Sequence, residues 1–451
     1  MTGKARSSDA TSANGHAALP VGAAPDRAAS LGAPTAAAPL RAPEASGFFA
    51  PFRLRDYRFL WPADLAVSWA FEMEIIILGW YVLVTTESVF WLTTIGALHY
   101  LGTLLAPGFG VIGDRIGLRN LLCLMRATYA LLAAILTTLF LTGQATLPLI
   151  FVIAALLGAV RPSDIGVRSA LVSHIVPANH LSGAIAISRT TFDMARIVGA
   201  LTGASLFAAF GIGTAYMMVA LCYAVGALLT MMVHAPPDPK GDEPPSPFRD
   251  FQDGISYIWN TPHVQAGMWL GFLVNFTAFP ISLGLLPYVA KNIYGVDQTG
   301  LGVLVASFAT GALLGSLTLA SMRDRIRAGR LMIKAAALWH LALLAFAFTT
   351  SHWLGMFLMV CAGFMQSLSM LSLMFMLLRT SDPKMRGRVM GVRMLAIYSL
   401  PLGLMFAGVV IPLIGFPVMA AGYAVGGLAL TMTIAIAWRR SIWRLDGMAN
   451  A

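Results

Sequence analysis

A long succession of apolar stretches, most of them 20 to 28 residues, separated by short connections, constrains this chain more than any other feature. The hydrocarbon core of a bilayer is about 30 Å thick and takes about 20 residues of helix to cross. Twelve stretches of that kind are read, near 59–84, 89–112, 120–142, 146–168, 182–210, 213–234, 264–290, 298–322, 331–350, 352–379, 388–412 and 415–438. Only 11% of the residues are charged and 58% are hydrophobic, whereas a soluble domain carries about 25% charged residues. The runs are continuously apolar and do not alternate, which argues against a β-barrel. The expectation is an all-α membrane protein with twelve transmembrane helices.

Basic residues set its expected orientation, because loops rich in Lys and Arg stay on the cytoplasmic side. Arg115 and Arg119 follow the second stretch; Arg323, Arg325, Arg327 and Arg330 follow the eighth; Lys384, Arg386 and Arg388 follow the tenth. The opposite connections 85–88, 142–146, 211–214 and 349–352 hold no Lys or Arg, and Lys291 alone breaks the pattern. Both termini and the 235–262 connection are therefore expected on the cytoplasmic side. The formal charge of +10 follows from this topology, and nucleic acid is not needed to explain it.

Residues 1–47, rich in Ala, Pro, Ser and Gly, read as a disordered cytoplasmic tail. A second such stretch, Ala235 to Pro247, divides the apolar segments six and six. The expected organisation is a six-helix bundle over 48–234, a linker over 235–262, a second six-helix bundle over 263–438 and a short cytoplasmic tail over 439–451. Within the linker, Phe248, Phe251, Ile255, Ile258 and Trp259 recur at helical spacing, as in a helix lying on a membrane surface. The halves also repeat: Asp114 and Asp324 sit in similar Asp-Arg-Ile runs 210 positions apart, and Pro177 and Pro383 are 206 apart. Such duplication marks many transporters.

Five carboxylates lie inside apolar stretches, all in the first half: Asp64, Glu72, Glu74, Asp164 and Asp193. A charge at the centre of a bilayer costs roughly 2.5 to 3.5 kcal/mol on insertion scales, and such residues usually mark a substrate or ion path. In the fourth stretch Asp164 lies between Arg161 and Arg168; in the fifth, Asp193 lies between Arg189 and Arg196, all at helical spacing. Carboxylates flanked in this way stay charged, so both sets are assigned to structure, gating or binding of an anionic substrate. Asp64, Glu72 and Glu74 have no basic residue on their own stretch between Phe59 and Thr94. Acids without a cation suit reversible proton binding, and these three are the expected proton-coupling groups. Glu72 and Glu74 are about 200° apart around a helix, so only one faces a central cavity; Glu72 is favoured, with Asp64 nearer the cytoplasmic entrance. Trp69, Asn275 and Gln366 are expected on the cavity wall, together with Trp80, Phe272, Phe276, Phe279 and Tyr398.

The run Gly110, Val111, Ile112, Gly113, Asp114, Arg115, Ile116, Gly117, Leu118, Arg119 resembles the loop signature G-x-x-x-D-R-x-G-x-R of the major facilitator superfamily. Val176, Pro177 and Leu181, then Ala195, Arg196 and Gly199, resemble its V-P-x-x-x-L and A-R-x-x-G runs. Arg386, Gly387, Arg388, Val389 and Met390 resemble the R-G-R-V-M of its branch of siderophore and macrolide exporters. The resemblance implies the major facilitator fold of two pseudo-symmetric six-helix bundles. It also implies a gating role for Gly110, Asp114, Arg115, Gly117 and Arg119, and for Asp324, Arg325, Arg386 and Arg388 in the repeat. Where the family's antiporters read G-P-x-x-G-G, this chain has Gly199, Ala200, Leu201, Thr202, Gly203 and Ala204, so the proline that would bend the helix is missing.

His99 and His340 lie within apolar stretches, and a proton relay and a hydrogen bond to a neighbouring helix are both open for them. Cys123, Cys222 and Cys361 fall in separate stretches with no metal-ligand spacing, and the Met365, Met370, Met374 and Met376 cluster is read as packing. No P-loop, nucleophile elbow or H-E-x-x-H helix is found. The expected protein is no enzyme and needs no cofactor or metal. It is a monomeric, multi-pass transporter of the bacterial inner membrane that exchanges protons for a small organic molecule, a siderophore or a drug-like amphiphile. An importer of a metabolite and a transport-inactive receptor or scaffold are the alternatives.

Overall fold

The computed structural model describes residues 49–103, 106–234, 247–322 and 327–448. The tail expected over 1–47, most of the proline-rich strap, the side chain of Asp114, and Asp324 with Arg325 lie outside the described residues.

Every regular element among the described residues is helical. The first half consists of α1 (Arg55–Thr86), α2 (Val89–Leu98), α3 (Ala106–Ile116), α4 (Leu118–Leu141), α5 (Leu147–Ile175) and α6 (Ala178–Met231). Then come α7 (Pro247–Asn260), α8 (Pro262–Phe279), α9 (Leu286–Tyr288), α10 (Gln298–Ser321), α11 (Ala328–Ala347) and α12 (His352–Thr380). The chain closes with α13 (Arg386–Leu395), α14 (Ser399–Ile414), α15 (Phe416–Ala437) and α16 (Arg439–Met448). Residues that leave the helical backbone set the turns. Gly117, at φ 84°, makes the turn between α3 and α4, and Gly415, at φ 81°, the turn between α14 and α15; only glycine adopts that region without strain. Asp297 caps α10, its side chain accepting from the Gly300 amide at 2.9 Å.

Among the described residues ten helical segments are long and apolar enough to cross a bilayer, with Arg386–Ile414, from α13 through α14, counted as one and α6 counted as one. The expected spans 182–210 and 213–234 are the two parts of α6, divided at Gly211, which leaves helical geometry at φ 77° and ψ 174°. The expected span 89–112 is divided between α2 and α3, with a tight turn over Leu101–Thr103. The expected span 264–290 is helical but loosened. Past Pro280, which has no amide hydrogen to give, it widens into π turns over Pro280–Gly284 and Val289–Ile293.

Two large apolar cores form, beside a small cluster of Leu319, Ala335 and Leu368. One joins Tyr57 on α1, Tyr129 on α4, Leu157 on α5 and Tyr216 on α6. The other joins Leu270 on α8, Phe308 on α10, Trp339 on α11, Met359 on α12 and Ala420 on α15, and it also takes in Ile76, Trp80, Val89, Ala200 and Ala204 from the first half. Those five residues mark the seam between the halves, where α6 packs on α10 and α2 on α14. The amphipathic α7 packs on α13, with Ile258 buried and Trp259 exposed. The expected C-terminal tail begins as α16, whose Ile442 is fully buried.

Candidate functional site

The membrane carboxylates of α1 are not unpaired: each meets an arginine from another helix. Arg126 on α4, inside the 120–142 stretch, was missed. It is fully buried, bonds Asp64 through Nη2, donates to Thr230 Oγ1 on α6 at 2.6 Å, and lies 3.9 Å from Asp164 Oδ2. An arginine in an apolar stretch costs as much as an aspartate there, so its presence was the available signal. Arg168 acts on Asp64 of α1 at longer range.

Glu74 is fully buried, and its two oxygens accept from Tyr216 Oη at 2.6 Å and Tyr223 Oη at 2.5 Å. Arg161 lies 3.6 Å from Glu74 Oε2, donates to Tyr223 Oη at 3.0 Å and stacks its guanidinium on Phe71. The expectation that Arg161 and Arg168 bracket Asp164 is thus replaced by pairing between helices. On α6 the pattern is divided: Arg189 does pair with Asp193, at 3.2 Å, while Arg196 turns to Glu72. Asp193 also accepts from Ser316 Oγ of α10 at 3.4 Å, across the seam.

Arg196 Nε stands 3.6 Å from Glu72 Oε1, and that oxygen, although buried, has no hydrogen-bond partner, as is also true of Asp164 Oδ2 and Asp193 Oδ1. The pair is brought together by Gly199, one turn beyond Arg196, where α6 lies so close to α1 that an added Cβ would come within 2.7 Å of Glu72 Cβ. With no proline at the following position, α6 passes 199–204 in unbroken helical geometry.

Glu72 and Arg196 line a cavity, partly open to solvent, set between the halves. His99 and Tyr100 are the other polar residues of the first-half wall, beside Phe71, Ile75, Ile76, Leu92 and Ile95, and the facing side is built from Leu283, Pro287, Leu301, Val305, Leu400 and Leu404. Asp64, Glu74, Asp164 and Asp193 do not line it, and neither do Trp69, Asn275 or Gln366, which were expected on its wall. Trp69 donates to Thr202 Oγ1 at 2.8 Å, and Asn275 donates to the Gly271 carbonyl at 2.8 Å, one turn back in its own helix. Gln366 is buried elsewhere in α12. His340 is held between Thr277 Oγ1 and the Ala336 carbonyl, at 2.9 and 2.8 Å, away from the cavity.

The loop residues of the expected gate make contacts within this structure. Arg119 donates to the Val233 carbonyl at 3.1 Å and to the Met231 carbonyl, binding the C-terminal end of α6, where the helix dipole favours a cation. Arg388 lies 3.2 Å from Asp253 of α7, and Arg386 donates to the Ser381 carbonyl at 3.3 Å. Arg115 is exposed, and Gly110 and Asp114 fall within α3.

Among the described residues no cluster of His, Cys, Asp or Glu could hold a metal ion. The three cysteines are free.

The chain is similar to the enterobactin exporter EntS of Escherichia coli O1:K1 and to that of Citrobacter koseri, each 24% identical over 302 residues, covering 66% of this chain and 70% of the relative. Its fold is similar to that of the peptide transporter PepTSo, at TM-score 0.67 and 13% identity, with 86% of this chain and 98% of that one covered. It is also similar to the nucleoside transporter NupG, at TM-score 0.64 and 15% identity, with 84% and 98% covered. The family described as transmembrane secretion effector matches residues 46–446, and the chain therefore belongs to that family of major facilitator superfamily transporters.

Proposed function

We propose that this transporter exports a small organic molecule in exchange for protons, and that Glu72 takes up and releases the coupling proton. One observation carries the reading: of the five membrane carboxylates, Glu72 alone lines the cavity between the halves. Glu74 and Asp64 are held by tyrosine hydroxyls and by Arg126. They are assigned to the framework of the first half, in place of the proton-binding role expected of them. Arg196 faces Glu72 directly, and Arg161 and Asp193 act on it at longer range. Protonating Glu72 frees Arg196, and the charge it leaves behind is the means of coupling.

Twelve crossings follow if α6 counts as two helices meeting at Gly211 and α2 continues into α3 as one. With both termini cytoplasmic and the protein in a bacterial inner membrane, the halves rock about the cavity in alternating access. Asp193 and Ser316, together with the α3–α4 and α12–α13 loops, act as gates. The direction, and a siderophore or drug-like amphiphile as cargo, are supported by the similarity to enterobactin exporters.

Everted vesicles test this with labelled enterobactin and a hydrophobic macrolide. Accumulation driven by a pH gradient in the wild type and lost in Glu72→Gln is expected. Movement in the opposite sense makes the protein an importer, and no movement of any solute leaves a scaffold.

A further inference from the structure

His99 is buried and lines the cavity beside Glu72 and Arg196. Its Nδ1 lies 2.8 Å from the Ile95 carbonyl oxygen, one turn earlier in α2. A carbonyl only accepts, so Nδ1 carries the proton, and Nε2 of the neutral ring is left as a lone-pair acceptor. That atom has no protein hydrogen-bond partner. Phe71 meets the ring at an angle of 61° and helps hold its orientation. A buried acceptor left unmatched is costly, and it identifies a position where a bound molecule gains by offering a donor.

The second polar feature is the Glu72–Arg196 pair. At 3.6 Å it is longer than a hydrogen bond, and Glu72 Oε1 accepts from nothing. Glu74, by contrast, accepts from two tyrosines. Arg196 is thus the cavity's loosely held cation, and an anion that approached its fork in bidentate geometry would bind better than Glu72 does. The opposite wall, from Leu283 to Leu404, offers only hydrocarbon.

Resting on the transport reading above, we propose that the cavity selects an amphiphilic organic anion that also carries a hydroxyl donor. The anion displaces Glu72 from Arg196, the hydroxyl donates to His99 Nε2, and the apolar body lies against the second half. His99 is then a specificity-determining residue, and a cation of the same shape is excluded by Arg196.

Equilibrium binding to the purified full-length protein tests this without any transport assay, using 6-hydroxy-2-naphthoate, 2-naphthoate and the matching (6-hydroxynaphthalen-2-yl)methylammonium. The wild type should bind the hydroxylated anion about fivefold tighter than the bare anion, the worth of one neutral hydrogen bond, and the cation more weakly than both. His99→Leu should abolish the preference for the hydroxyl, and His99→Gln, which keeps an acceptor near Nε2, should restore part of it. Arg196→Gln should abolish the preference for anions, and Glu72→Gln should tighten anion binding. Equal affinity for the two anions, a cation that binds as tightly as the anion, a hydroxyl preference that survives in folded His99→Leu, or no saturable binding of any probe overturns the proposal. Failure of gradient-driven flux, by contrast, sinks the transport reading and leaves these affinities standing.

Discussion

Arg196 of α6 reaches Glu72 of α1 at 3.6 Å at the edge of the cavity, whereas Arg161 holds the fully buried Glu74, two residues further along α1, with the help of two tyrosines. Two acids of one helix therefore have different environments. The opposite sides of α1 produce the difference: residues two apart point about 200° away from each other.

Glu74→Gln is expected to act on stability first. It removes the carboxylate that accepts from Tyr216 and Tyr223 and faces Arg161, and breaking a buried ionic network costs about 3 to 5 kcal/mol. Thermal melting of the purified protein should show a clear drop for Glu74→Gln and a much smaller one for Glu72→Gln. Equal melting temperatures for the two variants would contradict the assignment.

Arg126→Met should be more damaging still, because it strands Asp64 and Asp164 together in the first-half core. A loss of about 3 to 5 kcal/mol is expected for the single variant. Adding Asp64→Asn and Asp164→Asn should recover much of it, since no uncompensated charge then remains. Folded yield and melting temperature check both steps, and a triple variant no more stable than the single one argues against charge as the cause.

Gly199→Ala places a methyl where Glu72 Cβ would be 2.7 Å away and the Trp69 carbonyl oxygen 3.1 Å away. Overpacking of this kind costs about 1 to 3 kcal/mol, and here it also pushes Arg196 from Glu72. Gly422→Ala on α15 meets nothing within 4 Å and should leave stability unchanged or slightly raised. Melting of the two variants side by side decides the point.

Asp193 and Ser316 touch across the seam between α6 and α10 at 3.4 Å. Cysteines at both positions should form a disulfide on mild oxidation, in a background lacking the native cysteines, and the linked protein should lose transport until reduced. Full activity in the linked state would show that the halves do not separate there.

The helices themselves were legible because their length and apolar character are set locally. The stretch read at 120–142 appears as Leu118–Leu141, and that at 298–322 as Gln298–Ser321. The break between the stretches read at 182–210 and 213–234 was legible too, and it falls at Gly211, where the backbone leaves helical geometry. Pairing of the charges was the least legible, because it is tertiary. Asp64 and Arg126 are 62 residues apart, and Glu74 and Tyr223 are 149 apart. Spacing along a single helix suggested Arg161 with Asp164, and packing between helices overrode it. Of the cavity residues, helical geometry said only that Glu72 and Glu74 could not both face the cavity, and the facing wall of Leu283, Pro287 and Leu404 had no sequence signal beyond hydrophobicity.

The central claim is that Glu72 is where the proton gradient acts, and everted vesicles test it most directly. Wild type, Glu72→Gln and Glu74→Gln, matched for folded protein, are compared for movement of a panel of small amphiphiles with and without an imposed pH gradient. The account predicts that at least one solute responds to the gradient in the wild type, that Glu72→Gln still moves it down its own concentration gradient but no longer responds to pH, and that folded Glu74→Gln keeps the response. A Glu72→Gln protein that responds to the gradient as the wild type does would contradict it.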